Sequence, residues 1–419
     1  MNGFMNFLNN KFAPKAQVVG NNEWVVTLKN SVLEVLPFIL VGSLVTLLSI
    51  PGNFWKWWPD FSPVSSFTFG LLSIFISFLV PFNFMEYKHL KKQRIIAGLT
   101  SIALFMMLIN PKFSADGSSV SFQFSEFGAG GMFVAIIVAI FVSLILEMFG
   151  RFSFFSEDTV IPDFVTSWFD SMLPIGLIIL IGWLLVDVLH FNMYGVIQSI
   201  FSPLSSGADT IYGFTFILFL DCFIYSMGIS GWVLAPITQP LMLGGIAANV
   251  AAVAAGGAAT HVFTSEAIYS GWLWIGGVGC TMPLALMMLF SAKSKRLKAL
   301  SKACIVPSLF NINEPLVFGT IVWNPYLMIP LWINGIVIPV ITWLVLHFGL
   351  AAIPKALMQM WYIPYPISTW LVSPAVGSFI LLAIDFIVSW AIWFPFFKVY
   401  DASVVKEESD ATTDGISED

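Results

Sequence analysis

Asn311-Ile312-Asn313-Glu314-Pro315 interrupts the apolar run of residues 303–318 with two carboxamides, a carboxylate and a proline. Pro315 biases Glu314 away from helical backbone, so the stretch reads as a break rather than a helix turn. Broken backbone at membrane depth is tolerated only where protein buries it or where it lines a watery cavity. A carboxylate there costs about 3 kcal/mol by insertion scales unless it has partners. Glu314 is therefore expected to contact a polar ligand; the plainer alternative is a structural ion pair or cap.

The membrane follows from composition. The chain is 58% hydrophobic and only 10% charged, with 16 Trp and 41 Phe in 419 residues, against roughly 25% charged in soluble domains. Several runs approach the ~20 residues needed to span a bilayer, which excludes a large soluble protein. The expected fold class is an all-α polytopic membrane protein, with about ten transmembrane helices plus re-entrant hairpins. The net charge of −6 carries little, because much of it sits in the terminal tail. Residues 1–22 lack the apolar core and cleavage site of a signal sequence. Cys222, Cys280 and Cys304 lie singly in apolar surroundings without metal or redox spacing, so no cofactor or metal is expected. No nucleic-acid partner is expected either. A phosphate-binding glycine loop is missing, which does not support an ATP-driven pump.

Working outward, residues 1–30 form a cytoplasmic lead with an amphipathic hint at Phe4, Phe7 and Leu8. Spans are expected near 31–50, 65–84, 95–109, 131–149, 173–191, 212–227, 271–290, 326–348 and 373–397. Residues 151–172 contain Pro162 and read as an amphipathic segment along the interface. The stretch 232–257, broken by Pro236, Pro240 and several glycines, supplies a further crossing or a re-entrant piece. Two basic clusters, Lys88/Lys91/Lys92/Arg94 and Lys293/Lys295/Arg296/Lys298/Lys302, belong in the cytoplasm by the positive-inside rule, and so do both termini. Either cluster reads as a topology signal or as a docking surface for an acidic or phosphorylated soluble partner. The acidic tail, 401–419, is expected to be disordered.

Interrupted hydrophobic segments point to a transporter's midplane site, and two occur here, 303–325 and 228–261. A sugar needs hydrogen-bonding side chains and flat aromatic surface. Asn311, Asn313, Glu314, Ser230, Gln239, Asn249 and His261 offer the first; Trp232, Trp272, Trp274 and Trp361 offer the second. Each Trp reads equally as core or interfacial belt, and a lone His is more often a satisfied structural residue. Asp187 and His190, at i,i+3 spacing, are placed to pair. Asp221, Asp385 and Glu34 inside apolar runs keep a proton-coupled carrier open.

Phe310-Asn311-Ile312-Asn313-Glu314-Pro315-Leu316-Val317-Phe318-Gly319, followed by Trp323-Asn324-Pro325, closely resembles the hallmark of the lactose/cellobiose/chitobiose family. These are the membrane-embedded IIC permeases of the bacterial phosphoenolpyruvate-dependent sugar phosphotransferase system. Trp274-Ile275-Gly276-Gly277, Ala292-Lys293-Ser294-Lys295 and Lys298-Ala299-Leu300 resemble the approach to that hallmark. Val160-Ile161-Pro162 with Ser167-Phe169 is similar to the family's amphipathic segment, and Phe396-Phe397-Lys398-Val399-Tyr400-Asp401 to its closing motif. The resemblance implies a homodimer whose first half, 31–172, makes the dimer contact. Its second half, 173–400, would hold a β-linked disaccharide between re-entrant hairpins. It also implies import across the bacterial inner membrane coupled to phosphorylation. A separate soluble IIB, recharged by IIA, would donate phosphate to a sugar hydroxyl near the catalytic Glu314. Asn311, Asn313 and Trp361 match residues that hold the sugar. The family usually reads Gly-Ile-His-Gly where this chain has Gly228-Ile229-Ser230-Gly231, and Ser230 cannot accept a proton near neutral pH. The family's proline soon after Phe318-Gly319 is also missing. A phosphorylation-independent carrier and a sugar-sensing homologue are the alternatives.

Overall fold

The computed structural model describes residues 18, 21–53, 55–150, 153, 155 and 162–414, which pack as two units. Phe4, Phe7, Leu8, Val160 and Ile161, singled out above, lie outside the described residues. One unit is Asn21–Ser205 with Ala235–Pro240; the other includes Ser206–Leu234 and Leu241–Asp419. The division falls at 205/206, later than the expected 172/173.

The first unit contains α1 (Glu23–Ser49), α2 (Leu72–Tyr87), α3 (Arg94–Leu108), α4 (Met132–Phe149), α5 (Asp163–Trp183) and most of α6 (Met193–Ala208). Small and hydroxylated residues let α2 and α3 approach closely: Gly98 sits on the Phe78 ring, and Ser77 bonds Ser101 at 3.0 Å. Lys88 reaches Glu23 at 2.6 Å and Glu147 at 2.8 Å, tying the end of α2 to α1 and α4. Between α3 and α4 a two-residue ladder pairs Lys112 with Ser121. Residues 163–172, the described end of the expected amphipathic segment, form the first turns of α5, which runs through Pro174 into a single π turn, Leu184–Val188. α6 went unforeseen because Pro203 and its serines break the apolar run.

The second unit contains α7 (Ile211–Ser226), α8 (Ala235–Ala254, less its first six residues), α9 (Met282–Ser291), α10 (Lys295–Leu309), α11 (Pro325–His347) and α12 (Val376–Asp414). Side-chain caps set three of the starts: Thr210 for α7, Ser294 for α10, and Asn324 followed by Pro325 for α11. Gly335 of α11 lies against Cys222 of α7, and Thr342 of α11 donates to Asp385 of α12 at 2.8 Å.

Two expectations fail here. Residues 271–290 are not one span: Gly276, Gly277, Gly279 and Cys280 all have positive φ, and only the ten residues of α9 are α-helical. Residues 401–414, expected to be disordered, continue α12. They are held because Asp401 and Glu408 find donors at the start of α10.

Among the described residues seven helices are long and apolar enough to cross a membrane, or eight if α6 and α7 count as one broken span. Two shorter apolar helices, α3 and α9, bring the total towards the expected number, which is approximate.

Candidate functional site

α10 delivers the Asn-Ile-Asn-Glu-Pro stretch. The helix stops at Leu309, and Asn311 takes φ +61°, a left-handed conformation that Asn tolerates. The break falls at residues 310–313, earlier than expected, because Pro315 fits the first turn of the short helix that starts at Glu314.

Both carboxamides are spent on protein. Asn311 accepts from Gly276 N–H at 3.0 Å and donates to the carbonyls of Trp361 (2.7 Å) and Ile363 (3.1 Å). Asn313 is 3% exposed and donates to Val278 O and Thr281 Oγ1, each at 2.9 Å. Its Oδ1 accepts from the Tyr225 hydroxyl at 3.3 Å. The 276–281 loop is moulded on Asn313: a Cβ on Gly277 would stand 2.3 Å from its Cγ, and Gly277 has φ +105°. Thr281 closes the ring by donating to Gly276 O at 2.8 Å. Left unmade at such a buried position, each bond would cost about 1–3 kcal/mol.

Glu314 differs. Its side chain is exposed, and its carboxylate has no hydrogen-bond or ion-pair partner among the described residues. It lies one residue from a carboxamide that the 276–281 loop and α7 hold in place.

The end of α7 and the loop after it are held against residues 322–332. Gly228 turns it with φ +80°, Trp323 N–H bonds Ser226 O at 3.2 Å, and Trp332 Nε1 donates to Ser226 Oγ at 2.9 Å. Ser230 is exposed; its hydroxyl accepts weakly from Trp232 N–H at 3.4 Å, and its carbonyl accepts from Val233 N–H at 3.1 Å. Trp232 and Trp361 are half-buried, Trp361 with its ring edge-on to Tyr362. Direct bonds and chain continuity link Asn311, Asn313, Glu314 and Trp361, while Ser230 and Trp232 make no hydrogen bond to any of them among the described residues.

His261 stands apart. Its Nδ1 is 2.5 Å from Asp209 Oδ2, and Asn249 binds its backbone N–H (2.9 Å) and carbonyl (2.8 Å). The hydrogen bond to Asp209 pushes the imidazole pKa up. No partner is shared with Asn311 or Asn313 among the described residues. Trp272 and Trp274 are fully buried in the core. Tyr225 was missed, and no local signal marks it, since it is one aromatic among many in an apolar helix.

A cavity of about 590 Å³ opens beside Asn311, lined by Ile275, Met282, Leu286, Val306, Tyr365 and Phe379, among others. Asn311 is already bonded and Tyr365 donates to Tyr269 O at 2.9 Å, so the cavity offers a sugar little to bind. Among the described residues no group of three or more His, Cys, Asp or Glu is placed to hold a metal ion.

Comparison with known proteins identifies the family and the fold. A putative permease IIC component, YwbA, of Bacillus subtilis (strain 168) is 28% identical over 98% of this chain and 98% of its own length. The PTS system cellobiose-specific EIIC component of Geobacillus stearothermophilus is 28% identical, covering 97% of this chain and 96% of its own. The crystal structure of ChbC, the IIC component from the N,N'-diacetylchitobiose-specific phosphotransferase system, superposes with a TM-score of 0.85 at 24% identity. It covers 96% of this chain and 99% of ChbC, and shows a common fold. The family model "Phosphotransferase system, EIIC" matches residues 29–335, and the chain belongs to that family.

Proposed function

We propose that this permease imports a β-linked disaccharide of the cellobiose, lactose or chitobiose type and presents it for phosphorylation by a separate IIB protein. The observation that carries the reading is Glu314: a carboxylate without a protein partner, beside carboxamides that are fully engaged. Glu314 accepts the proton of a sugar hydroxyl while the hydroxyl oxygen attacks the phosphorus of a phosphocysteine on IIB. The P–S bond breaks, the thiolate leaves with IIB, and the sugar phosphate is released inside. Asn311 and Asn313 act here mainly by fixing the 276–281 and 361–363 loops, with Trp361 and Trp232 against the sugar rings and Ser230 hydrogen-bonding to it. The working form is a homodimer in a bacterial plasma membrane, with both termini and both basic clusters cytoplasmic.

A second reading, a carrier that moves free sugar, draws on Ser230, which cannot take a proton near neutral pH. Uptake of labelled cellobiose into membrane vesicles separates the two. Accumulation as sugar phosphate that requires phosphorylated IIB and is lost in Glu314→Gln supports the first. Equal uptake of free sugar without IIB overturns it.

A further inference from the structure

The two basic clusters are alike in sequence and opposite in their surroundings. In the first, Lys88 pairs with Glu23 and Glu147, while Lys91 and Arg94 share Glu86 at 3.2 and 2.5 Å. In the second, Arg296 reaches Glu407 at 3.5 Å, but Lys293, Lys295, Lys298 and Lys302 are exposed and have no ion pair among the described residues.

The reason lies in how α12 spends its acids. Asp401 accepts the N–H groups of Lys293 and Ser294, its shortest contact being 2.8 Å. Glu408 accepts from the Ser294 hydroxyl at 2.6 Å and from the N–H groups of Arg296 (2.8 Å) and Lys295 (3.2 Å). Both carboxylates are committed to backbone and a hydroxyl at the start of α10, so they fix its position without covering the lysines. Lys295, Lys298 and Lys302, at i, i+3 and i+7, share one face of that fixed helix. The face stands in water. α12 has 39 residues, about 58 Å of helix against a hydrocarbon core of roughly 30 Å. α10 begins beside its polar end, where Lys406, Glu407 and Asp410 are exposed.

We propose that this lysine face is the docking surface for an acidic face of the soluble phosphocarrier, and that the first cluster, whose Lys88, Lys91 and Arg94 are paired internally, is not. The proposal rests on the phosphotransferase reading above. Unpaired like charges held on a rigid helix steer an oppositely charged partner and leave a salt-dependent encounter rate. α10 runs from this face to Leu309, and the chain reaches Asn311 and Glu314 within five residues of its end, so a carrier seated there sits on the helix that leads to the reacting carboxylate.

The test uses the full chain in nanodiscs, with a phosphorylated cellobiose-type IIB as probe and cellobiose as acceptor. In Lys295→Glu/Lys298→Glu/Lys302→Glu, the KM for phospho-IIB should rise at least about tenfold. Affinity for cellobiose and kcat should hold, and the rise of KM with salt expected of the wild type should disappear. The milder Lys→Gln triple should fall between, and Lys112→Glu in the 112–121 hairpin should match wild type. A wild-type KM and salt slope in both triples overturns the docking surface. So does a change that appears only when anionic lipid is present, which would assign the lysines to headgroups. Failure of the wild type itself to turn over with phospho-IIB overturns the phosphotransferase reading, and the docking surface with it.

Discussion

Residues 249–263 and residues 311–314 each put carboxamides into apolar surroundings, and each uses them to draw distant backbone together. In the first region the accounting closes. Asn249 makes four bonds to Thr260, His261 and Pro354, and Asp209 takes the N–H groups of Val262 and Phe263 plus the His261 ring. In the second, Asn311 and Asn313 make three bonds each and the neighbouring carboxylate makes none. A polar residue among apolar ones is therefore not in itself a site. What separates a clamp from a site is whether an ionisable group is left over once the backbone has been satisfied.

Substitutions can break this contrast. The largest effect should come from Glu314→Gln, which should lower sugar phosphorylation about 10³-fold while leaving the melting midpoint in detergent nearly unchanged, since no hydrogen bond or ion pair among the described residues is lost. A comparable loss of stability would place Glu314 among the clamps. Asn313→Ala should do the reverse, costing about 3 kcal/mol of stability by orphaning the Val278 carbonyl, Thr281 and Tyr225. Its effect on turnover should follow the unfolded fraction. Asp209→Asn should cost about 2 kcal/mol, with cellobiose affinity retained in the folded protein; lost affinity at full stability would move the 209–263 region into the site.

The smallest effect is a pH slope. Asp209 holds the His261 pKa above its ordinary value of 6.5, so the pair's contribution is whole below that value and fades as pH rises through the raised one. The melting midpoint should fall by at most about 2 °C between about pH 6 and 8. His261→Gln should flatten that slope without altering sugar binding.

Residues 311–315 were legible because carboxamides, carboxylate and proline fall together in one apolar run. The break at 272–281 was not: Gly276, Gly277 and Gly279 leave the run hydrophobic, and their positive φ values are visible only in space. The same distance hid the roles of the carboxamides. Asn311 finds Trp361 50 residues on, and Tyr225 donates to Asn313 from 88 residues before it. Residue type indicated that these groups needed partners; it did not indicate that protein would supply them. The end of α12 misled for a related reason, since a run of acids reads as solvated until the N–H groups that donate to Asp401 and Glu408 are known.

The clasp between the end of α12 and the start of α10 bears on where the gene can be cut. A fusion joined after residue 400 would delete Asp401 and Glu408, releasing the start of the helix whose far end leads to Asn311. Such a tagged protein could insert and still report a defective permease. A cloning boundary placed after Asp414 keeps the whole helix and spares that artefact.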